Sequence, residues 1–165
     1  MKKLLLLFFP ILLFACSSDN DEPNEINQDP IIGTWKLIKM TEYPSNANPV
    51  VTTYDECFMR SRVTFLSNGN VEDTFYSLNS DGTCTLQQFE YQTTLSYTWE
   101  NIAANKYRFT SEIISHGNRS VQSKTPESII FPNTSTMEIM HMGTNRPSND
   151  PINVEYYINS YQRVN

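Results

Sequence analysis

The chain has 165 residues, three cysteines and an acidic excess that gives a formal charge of −6. Once a leader and a polar stretch behind it are set aside, about 135 residues remain, which suits one domain around one core. The acidic balance argues against nucleic acid as a partner, since that needs clustered Lys and Arg. It also gives the folded part no reason to embrace an anionic surface.

Residues 1–15 read as a targeting segment. Lys2 and Lys3 precede an apolar run, residues 4–14, broken only by Pro10. At about eleven residues the run is too short for a ~30 Å hydrocarbon core, which takes ~20. Removing it with its two lysines takes the formal charge to −8. The run ends in Leu13-Phe14-Ala15-Cys16, which resembles a bacterial lipobox. The resemblance implies that the Cys16 thiol takes a diacylglyceryl group and that small Ala15 lets the peptidase reach the bond before it. The alternative is an ordinary signal peptide cleaved nearby, with Cys16 a spare thiol. Each buried CH₂ of an acyl chain is worth ~0.8 kcal/mol, so several chains anchor durably where one does not. No later segment is apolar enough for a transmembrane helix.

Residues 16–29 form a tether. It is acidic, nearly free of large apolar side chains and contains Pro23, so it cannot bury enough surface to fold. Ser17-Ser18-Asp19-Asn20-Asp21-Glu22 resembles the acidic export signal of Bacteroidetes-type surface lipoproteins. That implies an outer-membrane lipoprotein with its domain facing the medium; the alternative is a plain spacer and a domain facing the periplasm. With Cys16 committed to lipid, Cys57 and Cys84 are left, and outside the cytoplasm such a pair most often forms a disulfide. Closing a loop of ~28 residues is worth about 3–4 kcal/mol in the chain-entropy model. Two free buried thiols are the alternative.

From residue 30 to 165 period-2 alternation recurs at short intervals and no helical period does. The first strand expected is 32–40, with Trp35 and Leu37 on one face and Lys36 and Ile38 on the other. Next come 62–66 and 71–78, joined by Asn68-Gly69, a type I′ hairpin signal. Asp81-Gly82 marks a further turn and Cys84 opens the stretch after it. Strands over 93–100, 106–114, 128–131, 136–142 and 153–161 complete a set of eight or nine. Residues 41–56 and 143–153 read as long loops and 101–105 as a short one. The prolines fall between the runs, as the missing N–H demands. Pattern alone leaves barrel and sandwich open.

Gly33-Thr34-Trp35 matches the G-x-W signature of lipocalins. Around it stand the lipobox and tether, Cys57 ahead of 63–66, Asn68-Gly69, Asp81-Gly82-Thr83-Cys84, Thr98-Trp99-Glu100, Asn105-Lys106-Tyr107-Arg108-Phe109 and Tyr156-Tyr157-Ile158. That order resembles the lipocalin-like lipoproteins of Bacteroidetes. The resemblance implies an all-β chain: a single up-and-down antiparallel barrel of about eight strands, with Gly33 and Trp35 plugging one end and Arg163 placed to stack on Trp35. It says little about biochemistry, because the fold hosts many roles.

No G-x-S-x-G, P-loop or G-x-G-x-x-G is present, so no catalytic residue and no cofactor is expected. The two histidines, His116 in a turn and His141 in a Met-rich strand, have no metal-ligand spacing, and no metal is expected. Asp55-Glu56 and Glu72-Asp73 are strand neighbours pointing to opposite faces and make no acid–base couple. The candidates for an apolar ligand site are Met137, Met140, His141, Tyr97 and Phe109, since thioethers adapt to irregular shapes and a phenol adds a polar tip. The expected inner face (Trp35, Leu37, Val63, Phe65, Phe75, Tyr97, Trp99, Phe109) is bulky, which favours a small pocket or none. Two readings follow: a membrane-anchored module binding a small hydrophobic ligand, or a filled barrel whose loops contact a surface protein.

Overall fold

The computed structural model describes residues 28–87, 92–143 and 154–164. The leader, Cys16, most of the tether and residues 144–153 of the second long loop lie outside them. Pro147 and Pro151 therefore do too.

Twelve strands form among the described residues: β1 (Gly33–Pro44), β2 (Val50–Thr53), β3 (Arg62–Phe65), β4 (Val71–Thr74), β5 (Tyr76–Leu78), β6 (Cys84–Leu86), β7 (Gln92–Ala103), β8 (Lys106–Ser115), β9 (Asn118–Lys124), β10 (Ser128–Asn133), β11 (Thr136–Met142) and β12 (Val154–Val164). One 3-10 turn, Phe58–Arg60, is the sole helical element among these residues. The all-β expectation holds, with twelve strands in place of about eight. The extra ones come from three sources. Residues 41–44 continue β1, and β2 forms inside the expected loop. The 71–78 run breaks at Phe75 into β4 and β5. Polar β9, exposed along its whole length, has no apolar alternation to announce it.

The strands make three antiparallel sheets: β10-β11-β12-β1-β3-β4 with β2 also on β1, the hairpin β5-β6, and β7-β8-β9. Among the described residues hydrogen bonding does not run continuously round the wall. The two larger sheets are stitched where Asn70 bridges Thr98 and the Trp99 amide donates to Gly69 O at 2.7 Å. On the other side the chain passes from β9 into β10 through Pro126, and the Ile129 amide donates to Asn105 O at 2.9 Å.

Three local features set which residues face inward. In β1 the register against β12 shifts between Leu37 and Lys39. Such a bulge adds one residue and swaps the alternation, so the inner set runs Trp35, Leu37, then Met40 and Glu42. The Asn68-Gly69 hairpin forms, but not with a type I′ turn. Gly69 alone has positive φ (+84°), and Gly69 N donates to Leu66 O at 3.0 Å. Only one left-handed residue is used, as in the longer hairpin loops closed by an αL glycine. The two-residue turn with positive φ at both positions lies instead between β8 and β9, at His116 (49°) and Gly117 (78°). Finally, Pro132 lies within β10, not between strands, in the stretch between Ile130 and Asn133 where the pairing with β11 skips. No ladder N–H is required of it there.

Candidate functional site

At one end the interior is solid. Trp35, Ile31, Ile129 and Met137 are fully buried, with Phe65, Val71, Tyr107 and Ile139 packed around them. The Trp35 indole N–H donates to Ile31 O at 2.7 Å, so the largest ring in the core leaves no polar atom unpaired. Arg163 covers the ring, its guanidinium carbon 4.2 Å from the ring centroid. The same guanidinium donates to Ile32 O, Pro30 O and Thr134 O at 2.7–2.8 Å. Gly33, directly below, has φ +133°, and a Cβ there would collide with Arg163 Nη1. Glycine is needed at this position for both reasons.

Asp29 ties the entering chain to the same end. Its carboxylate accepts from Tyr107 OH (2.8 Å), Asn101 Nδ2 (2.8 Å) and the Ile31 amide (3.1 Å). Burial, then the Asp29 carboxylate, pushes the Tyr107 phenol well above the ordinary tyrosine range.

Above this plug the sheets part around a cavity of about 350 Å³. Its floor is Trp35 and Phe65, and its walls are Leu37, Val63, Tyr97, Phe109, Ile139 and Tyr161. The size falls within the usual ~300–1,000 Å³ range of small-molecule sites. Phe58 and Phe75 flank the mouth, meeting edge-on at 5.2 Å, with Tyr54 stacked on Phe58 at 4.2 Å. Phe58 follows Cys57, which is disulfide-bonded to Cys84 at the start of β6 (Cα–Cα 5.4 Å). The bond therefore fastens the 3-10 turn, which carries Phe58, to the β5–β6 hairpin, which Phe75 immediately precedes. The expected Cys57–Cys84 pairing is thus present.

Polar groups gather toward the mouth. Asp73 and Lys124 line it without forming an ion pair. His141 lies in the wall, stacked on Tyr157 at 4.9 Å. Burial and then the Lys124 charge lower its pKa, so the imidazole is neutral at pH 7. Burial, and secondarily Asp73, raises the Tyr97 phenol. Burial pushes the Tyr161 phenol far up, with Tyr97, Tyr54 and Tyr157 adding to the effect.

Of the five ligand-site candidates, the structure brings Tyr97, Phe109 and His141 together on the cavity wall. Met137 is in the solid plug. Met140 is on the outer face, because β11 presents Met137, Ile139 and His141 inward and alternation turns the residues between them away. Sequence reasoning missed Phe58, Ile139, Lys124 and Tyr161. The signal for Tyr161 was available: with Arg163 stacked on Trp35, period 2 along β12 puts Tyr161, Asn159 and Tyr157 on the inner face. Among the described residues no group of three or more His, Cys, Asp or Glu is placed to hold a metal ion.

A family model for the lipocalin-like domain matches residues 31–139. The chain belongs to the lipocalin-like domain family. The matched segment runs from the plug residue Ile31 to Ile139 in the cavity wall, so this lipocalin-like domain contains both the floor and most of the lining within the shared region. β12, which pairs with β1 along its length and supplies Tyr161 and Arg163, lies beyond the match. Comparison with curated proteins gives no match, and comparison with solved structures gives none either.

Proposed function

We propose that this protein is a membrane-anchored lipocalin-like lipoprotein that binds a small hydrophobic ligand in the cavity above Trp35. The observation that carries the reading is the cavity itself: about 350 Å³ in volume, floored by aromatic rings and walled by apolar side chains. An apolar space of this size with a few polar groups near its opening is the ordinary form of a small-molecule site. The lipobox-like Leu13-Phe14-Ala15-Cys16 and the acidic residues after it support an outer-membrane lipoprotein with its domain facing the medium. Lipocalin-like domains are in general binding proteins, which accords with assigning no catalytic role.

The test is native mass spectrometry of the chain purified from its host's envelope. A co-purifying small mass that disappears on denaturation is the expected result. A clean mass that stays unchanged after incubation with envelope lipids would overturn the reading. It would leave the second one, a surface interaction module. That alternative draws on the exposed apolar residues Val50 and Val51 of β2 and Leu78 and Leu86 of the β5–β6 hairpin.

A further inference from the structure

A second space adjoins the cavity along β1 and β12, and its lining is different. It measures about 380 Å³, and Met40, Glu42, Tyr54, Tyr157 and Asn159 are among the residues around it. Leu37 lines both spaces. Tyr157 stacks on His141 and Tyr54 on Phe58, and in each pair the first ring lines the second space and its partner the cavity. The two spaces are therefore neighbours across a partition of side chains.

The strand register shows how this lining arises. Leu37 lies opposite Tyr161, Met40 opposite Asn159 and Glu42 opposite Tyr157, so these pairs follow one another along the inner face. The bulge after Leu37 makes the sequence of pairs possible. Unbroken alternation would turn Lys39 and Thr41 to this side, whereas the extra residue turns Met40 and Glu42 there instead. A carboxylate thus takes the place of an ammonium group on the inner wall.

Asn159 supplies an independent observation. Its Oδ1 is buried and has no hydrogen-bond partner. Native interiors rarely leave such an acceptor unmade, because it keeps its desolvation cost. A leucine would fill much the same volume without that cost. What Oδ1 lacks is a donor, and the Glu42 carboxylate beside it is also an acceptor. Among the described residues no Lys, Arg or His lines this space. Burial, and after it the Glu42 charge, raises the Tyr54 phenol, which puts that charge close to the ring. The mouth of the first space differs, since Lys124 shares it with Asp73.

Resting on the cavity reading, we infer that the ligand is an amphiphile with a primary ammonium head, whose apolar body fills the space above Trp35 and whose head donates to Asn159 Oδ1 beside Glu42. An ammonium group has three donors and no acceptor, so it suits a wall of acceptors. A carboxylate head would bring a second negative charge next to Glu42 and no donor to Asn159. A hydroxyl head could donate to Asn159 but brings no charge to Glu42.

The test uses the full chain in lipid nanodiscs, titrated calorimetrically at pH 7 with octylamine, octan-1-ol and octanoate against discs without protein. The expected result is octylamine binding at least about tenfold tighter than octanol, with octanoate weakest. Glu42→Gln keeps the shape of the side chain and is expected to bring the amine-to-alcohol ratio toward one. Asn159→Leu removes the acceptor and is expected to weaken octylamine about fivefold. Octanol or octanoate binding as tightly as octylamine, or an octylamine affinity unmoved in both variants, would overturn the inference and leave the cavity reading standing. No binding of any probe above the empty discs would bring down both.

Discussion

The two ends of this barrel-like fold are built on opposite rules. At the plugged end every large side chain is enclosed and its polar atoms are paired: Trp35 to Ile31 O, Tyr107 to Asp29, Arg163 to three carbonyls. At the open end Tyr97 and Tyr161 line a cavity, Asp73 and Lys124 line its mouth without joining, and a disulfide does the fastening. The first arrangement maximises stability. The second leaves an apolar space with a few polar side chains at its edge, which a filled core lacks.

That contrast can be broken at the plug. Trp35→Ala removes the floor of the cavity and the centre of the core together, with an expected loss of about 4 kcal/mol in urea unfolding. A loss under about 1 kcal/mol would mean that the plug is not the main source of stability. Removing the disulfide as Cys57→Ala with Cys84→Ala should cost about 3 kcal/mol by chain entropy. Because the bond fastens the mouth, hydrogen exchange in the variant should rise first in β5, β6 and residues 54–60. A uniform rise would argue against a separately fastened rim. Arg163→Lys keeps the charge but loses the planar fork over Trp35, for an expected cost of about 2 kcal/mol in thermal melts.

At the mouth the effects should shrink. Phe58→Ala should lower stability by less than about 1 kcal/mol, as its half-buried ring packs against Tyr54 and Phe75 at the rim. The smallest effect belongs to His141. Its folded pKa lies below its unfolded value, so the folded state disfavours the proton. Its contribution is present at neutral pH and is lost as the pH falls from about 6.5 through the lower folded value. Melting temperatures of wild type and His141→Gln should therefore converge between pH 7 and pH 5. Parallel curves would show that protonation of this ring is not resisted.

Much of the plugged end is legible in the sequence and less of the mouth. Gly33-Thr34-Trp35 and the alternation of Trp35 and Leu37 are short-range signals at the plug, and at the mouth the spare pair Cys57 and Cys84 is a countable one. The bulge after Leu37 is not, since it depends on how β12 pairs with β1, and it reverses the faces of everything from Met40 onward. The same dependence on register put Met140 outside and His141 inside: alternation tells which residues share a face but not which face is inner. β9 escaped because it buries nothing; Val121, its one aliphatic residue, is 66% exposed. Phe58 escaped because its place at the mouth is set by a disulfide to a residue 27 positions downstream of its neighbour Cys57.

Asp29 has a mechanical consequence. The segment before residue 28 enters the fold at this carboxylate, which grips Tyr107, Asn101 and the Ile31 amide. In the lipoprotein proposed above, a pull on the anchor would reach the fold there, and from Pro30 and Ile32 it would pass through Arg163 into β12. Such a pull would be borne by the end of the fold where Trp35, Ile31 and Met137 are fully buried. The rim carrying Phe58 and Phe75 lies across the cavity from Trp35 and Arg163, so that route would bypass it.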